Sequence, residues 1–478
     1  MKKKLSCMAS VLLAVSLTAC SGGGQESSTT APETSAPEQT TTTAEETKAE
    51  ESTKAEETTV AEAGGLTAGT YTASKAGMNG QVTVEVVTDA SSIVSVEVKD
   101  NQETPGIGSP LVDGQKEGTI PTISIPAAIV ENQSIAVDGV TGATITSAAI
   151  KSAVEDCLTQ AGANIDDWKT TVEKEPGKEI EMEADVIVVG GGGAGLAAAI
   201  SASENGAKVI VVEKNGAVGG DTLVCGAIYN NPDEALQSKV EMSDAVKKTL
   251  EAGIAVEPVD DAHKELIDTV SKEWAQHQAD GKTTLFDSDA WFTLQTYNGG
   301  DNVADLDLVK VLCNNAVSGY EWIQNLGMEF NDSIGQGAGS LWQRTHTSTK
   351  PMGTGFISTY VDNIAADQNV EMLTSTTATN LIQDDSGRVV GVEAEDVNGN
   401  TYKFHASKGV VLATGGFAAN SKMVSEYNTT GKWNDLSKVP TTNRFGCSQG
   451  DGIIMAQDIG AALYQMEQIQ LLYLGNVK

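Results

Sequence analysis

Two stretches of alternating residues and one helical stretch define the first predicted domain. Apolar and polar residues alternate from 82 to 86 and again from 93 to 98, a period of two that predicts half-buried strands. From 147 to 158, apolar residues recur every three or four positions, as they do on one face of a helix. We therefore predict a small α+β domain over residues 65–162.

The pattern changes after a polar stretch at 163–183, which we interpret as an interdomain linker. In each of the stretches 185–189 and 208–212, one charged residue precedes four consecutive apolar residues, as expected for strands buried on both faces of a parallel sheet. Between them lie a glycine-rich turn and a run of small residues at 196–204 that predicts a helix. This order predicts a Rossmann-like α/β domain from 184 to 478.

The first twenty residues predict export rather than a membrane span. Three lysines precede an apolar run of about twelve residues, whereas a helix needs about 20 to cross the hydrocarbon core. Leu17-Thr-Ala-Cys20 resembles the bacterial lipoprotein cleavage box, which implies that Cys20 is lipidated and anchors the protein at the extracytoplasmic face of the cell membrane. The alternative is an ordinary signal peptide with a cysteine near its cleavage site.

Composition and charge add a tether and exclude several classes of protein. Residues 21–64 contain 16 Ser or Thr and ten Glu against two Lys, so we expect a disordered, extended tether. The whole chain has 31 Lys and Arg against 65 Asp and Glu, which argues against binding to nucleic acid. Because no two of the six cysteines lie three positions apart, Cys-x-x-Cys zinc sites and c-type haem are disfavoured, and we predict no metal site.

A turn with the sequence Asp138-Gly-Val-Thr-Gly-Ala-Thr144 precedes the helix predicted at 147. On physical grounds alone, it is a glycine-rich turn followed by a Thr or Ser N-cap. Its Asp-x-x-x-Gly-Ala-Thr pattern, however, resembles the flavinylation motif of FMN-binding domains like those of sodium-pumping quinone reductases. The resemblance covers about 65–162 and implies that Thr144 carries FMN through a phosphoester bond made by a separate flavin transferase. The adjacent helix N-terminus would favour the phosphodiester anion.

A second glycine-rich turn, Gly190-Gly-Gly-Gly-Ala-Gly195, follows the first buried strand and opens the helix. Its spacing, with an acidic residue 18 positions later at the end of the next strand, is the dinucleotide-binding fingerprint. Gly190 permits the turn, Gly192 admits the pyrophosphate and Gly195 allows close packing of helix and strand, while Glu213 is expected to hold a ribose hydroxyl. The alternative is a strand–helix–strand unit that binds no cofactor.

Further motifs resemble the FAD proteins of the fumarate reductase type. They are a Glu-Lys…Gly-Gly-Asp-Thr…Gly stretch, an Ala-Thr-Gly-Gly strand end and a Gly-Asp-Gly turn, and the resemblance extends to a capping insertion at about 240–345. It implies an α/β Rossmann-like FAD domain with an α+β capping insertion, preceded by the FMN-binding domain. The residues expected to contact non-covalent FAD are Gly190, Gly192, Gly193, Ala194, Gly195, Glu213, Lys214, Gly220, Asp221, Thr222, Gly226, Ala378, Thr414, Gly415 and Asp451.

Together the two resemblances imply a reductase of the urocanate reductase type. In such enzymes electrons from a membrane donor pass through FMN to FAD, and hydride from FAD then reduces an α,β-unsaturated carboxylate. Leu472 stands where fumarate reductases have a substrate-binding histidine, so we expect a urocanate-like or other enoate substrate rather than fumarate. The family continues beyond the equivalent of Lys478 with the arginine proton donor, so we assign no catalytic residue and expect this chain to be truncated and inactive alone.

Two other functions remain open at this point. An electron-carrier lipoprotein would have a degenerate or truncated FAD domain. An FAD dehydrogenase would work in the oxidising direction, and the FMN-binding domain argues against it.

Overall fold

The computed structural model describes residues 65–111, 119–140, 142–172, 176–441, 443–444 and 446–471. The predicted signal peptide, the lipidation at Cys20, the tether, Leu472 and the end of the chain lie outside these residues. No helix within the described ranges is long and apolar enough to cross a membrane.

The first domain packs two helices against a three-stranded antiparallel sheet of order β1-β2-β3. Val82, Val84 and Val86 of the central strand are fully buried, because the alternating pattern directs them to the face that the second helix covers. The elements are β1 (Gly69–Ala76), β2 (Gln81–Thr88), β3 (Ile93–Asp100), α1 (Pro121–Asn132) and α2 (Thr144–Gln160).

The predicted linker at 163–183 is largely structured. A 3-10 helix, Ile165–Trp168, buries Trp168 in the core of the first domain, and Ile135 N–H donates to Trp168 O at 2.8 Å. The next strand, β4, begins at Glu179, because its alternating first half pairs in parallel with a later strand of the large sheet. The first domain therefore extends past 162, and the second begins before 184.

The second domain contains a six-stranded mixed sheet of order β8-β5-β4-β11-β10-β9. The first four strands in this order are parallel, whereas β10 and β9 join antiparallel at one edge. Helix α3 connects β4 to β5 and packs against both, as the run of small residues predicts. The elements are β4 (Glu179–Val189), α3 (Gly193–Glu204), β5 (Val209–Val212), β8 (Val370–Leu373), β9 (Thr376–Gln383), β10 (Val389–Asp396) and β11 (Thr401–Leu412).

A helical segment with its own core separates β6 (Ile228–Asn230) from β7 (Thr345–Thr347), two strands that pair antiparallel. Its core includes Trp274, Trp291 and Trp342. The helices are α4 (Glu234–Gln237), α5 (Asp244–Ile254), α6 (Asp261–Ala279), α7 (Asp289–Gly299) and α8 (Leu306–Asn325). The segment coincides with the predicted insertion, and its capping role stays a prediction. Helices α9 (Thr354–Ala365), α10 (Ser421–Tyr427) and α11 (Asp451–Asp458) complete the described domain.

Candidate functional site

The larger domain has a cavity of about 440 Å³ at the carboxyl ends of three parallel strands. Val189 of β4, Val212 of β5 and Leu412 of β11 reach it as the last residues of their strands. Open parallel sheets bind ligands at this edge, because the loops that follow the strands surround a common crevice.

The glycines of the fingerprint fit a bound pyrophosphate. Gly190 has φ +106°, and a Cβ there would meet Ala413 O at 2.5 Å, so the turn requires glycine. A Cβ on Gly195 would collide with Gly190 O, because helix and strand pack closely there. Gly192 lines the cavity, and a Cβ on it would meet nothing within 4 Å, so the side-chain position is open space. Helix α3 begins at Gly193, whose N–H donates to Thr222 Oγ1 at 3.1 Å, so the following N–H groups of Ala194 and Gly195 are those left for an anion.

Glu213 lies buried at the end of β5 and faces the same cavity. Its Oε2 accepts a hydrogen bond from Gly191 N–H at 2.7 Å, and its Oε1 accepts from the backbone and side-chain amides of Asn215 at 2.8 and 2.9 Å. These bonds fix the carboxylate below the glycine-rich turn. The predicted bond from Glu213 to a ribose hydroxyl stays a prediction.

Polar side chains from distant parts of the chain also line this cavity. Lys214 forms an ion pair with Asp451, the first residue of α11. Asp221 accepts hydrogen bonds from Asn443 Nδ2 and Ser448 Oγ, both at 2.6 Å. The Gly-Asp-Gly motif and the Gly-Asp-Thr motif therefore belong to one site, although about 230 residues separate them.

The structure brings most of the predicted FAD contacts together around this cavity. The predicted residues that line it are Gly190, Gly192, Gly193, Ala194, Glu213, Lys214, Gly220, Asp221, Thr222, Ala378, Thr414, Gly415 and Asp451. Gly195 lies beneath the turn and Gly226 is exposed outside the lining. Sequence reasoning missed Asn215, Cys447, Ser448 and Met455, all of which also line the cavity. Their position beside the Glu-Lys and Gly-Asp-Gly motifs was the available signal.

The smaller domain contributes most of a second cavity, of about 380 Å³, which includes Thr144. Thr144 is exposed and is the first residue of α2, whose N-cap is Ala143 without a side-chain cap. The predicted alternative of a Thr or Ser N-cap is therefore wrong, because neither residue type occupies that position. Thr146, two residues further along α2, is buried and donates to the Glu103 carboxylate. Glu103 also accepts from Asn79 N–H at 3.2 Å.

One wall residue of this second cavity comes from the other domain. Arg444 lines the cavity beside Thr144, while its backbone N–H donates to Asp221 Oδ1 at 2.7 Å. Burial lowers the pKa of the Arg444 guanidinium, and nearby Cys447, Glu213 and Asp221 act in the opposite direction. Burial also raises the pKa of the Cys447 thiol, so this cysteine is a neutral packing residue. Among the residues that the structure describes, no cluster is arranged to hold a metal ion.

Comparison with known proteins identifies the families of both domains. Residues 185–280 and 274–474 match the FAD binding domain family, and residues 77–159 match the FMN-binding domain family. The chain belongs to the family of FAD-binding proteins and carries an FMN-binding domain in front. FAD and FMN are therefore confirmed as its two cofactors, and the covalent bond to Thr144 stays a prediction.

Individual relatives are flavoprotein reductases of unsaturated carboxylates. NADH:acrylate oxidoreductase of Vibrio harveyi is 31% identical over 432 residues, which are 86% of this chain and 41% of that protein. Urocanate reductase of Eggerthella lenta is 32% identical over 431 residues, 87% of this chain and 61% of that protein. The open conformation of a flavocytochrome c3 fumarate reductase has a TM-score of 0.45 at 24% identity, covering 63% of this chain and 46% of that one. This chain thus spans less than two thirds of each relative.

Proposed function

We propose that this chain is the flavin-carrying part of a reductase that passes electrons from covalent FMN to FAD and then, as hydride, to an α,β-unsaturated carboxylate. The observation that carries the proposal is the contact between the two cavities. Gly220 lines the FAD cavity, and its carbonyl accepts a hydrogen bond at 3.3 Å from Arg444, which lines the cavity of Thr144. A single residue, Arg444, therefore connects the two cavities.

Thr144 suits the covalent attachment because its hydroxyl is exposed at a helix N-terminus. A flavin transferase would supply an activated FMN donor, Thr144 Oγ1 would form the new P–O bond, and the donor's leaving group would depart as the hydroxyl loses its proton. Gly142 and Ala143 keep bulky side chains away from the reacting oxygen. The resulting phosphodiester would lie at the positive end of the α2 dipole.

The FAD cavity provides binding and orientation from this chain's own residues. When bound, FAD supplies hydride to the substrate, and FMN relays electrons to it. The amides at the start of α3 would bind the pyrophosphate, and the Lys214–Asp451 pair and Asp221 would fix the polar wall. No proton donor is assigned, and the helical segment over 234–325 is proposed to close over the substrate.

The substrate class rests on the relatives, whose names refer to acrylate, urocanate and fumarate. We propose an enoate other than fumarate, because Leu472 cannot donate a hydrogen bond to a second carboxylate. The lipid anchor at Cys20 and the acidic tether would place the reductase at the outer face of the membrane, where a membrane donor system reduces FMN.

The test is co-expression with a flavin transferase, followed by denaturation and mass spectrometry. Trypsin releases residues 117–151 as one peptide, since the flanking cleavage sites are Lys116 and Lys151. We expect an FMN-sized adduct on Thr144 in this peptide, and non-covalent FAD in the supernatant. Reduced protein is then mixed with acrylate, urocanate and fumarate. Absence of the adduct, or oxidation of the flavins by fumarate alone among the three acceptors, would contradict the proposal.

A further inference from the structure

One contact between the two domains joins a loop of the smaller one to a 3-10 helix of the larger one, and a second is the hydrogen bond from Thr119 Oγ1 to Gly216 O. Ile107 and Leu111 pack against the hydrophobic cluster that contains Leu223, which lies in the 3-10 helix Gly220–Val224. The loop is ordered by its own backbone bonds, such as Ile107 N–H to Thr104 O at 3.0 Å. This apolar contact brings the Thr144 cavity to the outer wall of the FAD cavity.

Arg444 lies at that wall and is held by hydrogen bonds to residues of the FAD-binding domain. Its backbone N–H bonds to Asp221, whose carboxylate is also held by Asn443 and Ser448. Its guanidinium donates to Gly220 O through Nη1 and faces the Thr144 cavity. The side chain is therefore positioned by the FAD domain, while its charge is presented to the FMN domain.

Among the residues that the structure describes, the guanidinium of Arg444 forms no ion pair at the Thr144 cavity. Its Nη1 donates to the neutral Gly220 O, while burial lowers its pKa and the Glu213 and Asp221 carboxylates on the FAD side act from a greater distance to raise it. The one acidic residue of the cavity lining, Glu103, already accepts hydrogen bonds from Asn79 and Thr146. Since a half-buried guanidinium is stabilised by an anion, the cavity has room and charge for a phosphate.

We propose that Arg444 binds the phosphodiester of FMN attached to Thr144, and thereby holds the FMN domain docked on the FAD domain for electron transfer between the flavins. This inference rests on the covalent FMN of the proposed function. Each transfer oxidises one reduced FMN and reduces one FAD, with two electrons and two protons passing per pair, so it needs no further reactant. Because the contact would pair the charge of Arg444 with that of the phosphodiester, the rate of electron transfer between the flavins would depend on ionic strength.

The first experiment compares Arg444→Gln, Arg444→Lys and Arg388→Gln in the full chain loaded with both flavins. Arg388 is the matched control, because it is exposed at the β9–β10 turn and bonds to Lys408 O. After flash photoreduction, we expect exchange between the flavins to slow by about tenfold or more in Arg444→Gln. Arg444→Lys should stay within about threefold of the wild type, because it keeps the charge. Rates equal to those of Arg388→Gln would overturn the proposal.

A second readout does not depend on electron transfer. In hydrogen exchange, the amides of residues 104–109 should exchange faster in Arg444→Gln than in the wild type. In a Thr144→Val background, which lacks the phosphodiester, Arg444→Gln should add no further change. An equal effect of Arg444→Gln in both backgrounds would show a merely structural role and overturn the inference.

The peptide analysis separates the two proposals. If residues 117–151 carry FMN and Arg444→Gln behaves as Arg388→Gln does, the inference fails and the proposed function stands. If the wild-type peptide carries no FMN after co-expression, both fail.

Discussion

The two flavin sites of this chain are built in different ways. The FAD cavity is formed at strand ends and one helix N-terminus of a single sheet, so its glycine fingerprint is contiguous in sequence. The cavity of Thr144 is formed by a loop, a turn and a helix start of a small domain, and one wall comes from the other domain. The described residues that line the FAD cavity all belong to one domain, whereas the lining of the Thr144 cavity includes one residue, Arg444, of the other domain.

The sharpest test of this difference is Thr144→Val. The variant keeps the shape of the side chain but lacks the oxygen that forms the ester, so covalent FMN should vanish completely while FAD content is unchanged. Mass spectrometry of residues 117–151 and acid release of FAD measure the two flavins separately. Thr144→Ser, which retains the hydroxyl, should keep the adduct. An adduct that persists in Thr144→Val would place the attachment elsewhere.

Gly192→Val should have the opposite outcome. A valine side chain would enter the open space where the pyrophosphate is expected, so FAD should be lost while covalent FMN remains. Gly409→Val is the matched control, since Gly409 also has no neighbour near its Cβ position but lies in β11 away from the cavity lining. Flavin absorbance after gel filtration gives both contents. Full FAD occupancy in Gly192→Val would contradict the site.

Asp287→Ala tests how much a buried ion pair stabilises the helical segment between β6 and β7 of the FAD-binding domain. Arg344 and Asp287 form a buried ion pair at 2.8 Å, and removing the carboxylate leaves the guanidinium with Gln295 as a neutral hydrogen-bond partner but with no anion. We expect a loss of about 3–5 kcal/mol in the free energy of unfolding of that segment, measured by denaturant titration. Asp332→Ala, which breaks an exposed pair with Lys239, should cost about 1 kcal/mol or less. Equal effects of the two variants would contradict the buried pair.

The smallest expected effect concerns two cysteines, one from each domain. Burial raises the pKa of the Cys157 thiol in the FMN domain to about 11, whereas Cys225 in the FAD domain is exposed. Because the folded pKa lies above the ordinary value, Cys157 favours the folded state below pH 9 and loses this contribution as the pH rises toward 11. Iodoacetamide at pH 8 should label Cys225 and leave Cys157 unlabelled until denaturation. Rapid labelling of both would contradict the packing.

Elements whose signals are local can be predicted from the amino-acid sequence alone. Three such signals are the alternation in β2, the helical period of α2 and the glycine fingerprint between β4 and α3. Each depends on residues that are close together in sequence, so periodicity and backbone sterics predict it. Strand β1 and helix α1 were missed, because the strand is poor in large apolar residues and the helix contains Pro126. The predicted linker includes the first residues of β4, because an alternating strand with one exposed face resembles a polar segment.

Which distant residues share a site depends on how the folded elements pack. Thr146 donates to Glu103, because the loop before α1 brings that carboxylate over the start of α2. Arg444 lies 300 residues after Thr144 in the sequence, yet both line one cavity. No periodic pattern within either segment predicts that these two residues lie together. The two residues meet because the domains touch through the packing of Ile107 and Leu111 on the cluster around Leu223 and through the hydrogen bond from Thr119 Oγ1 to Gly216 O. These contacts need complementary surfaces that exist only after both domains have folded.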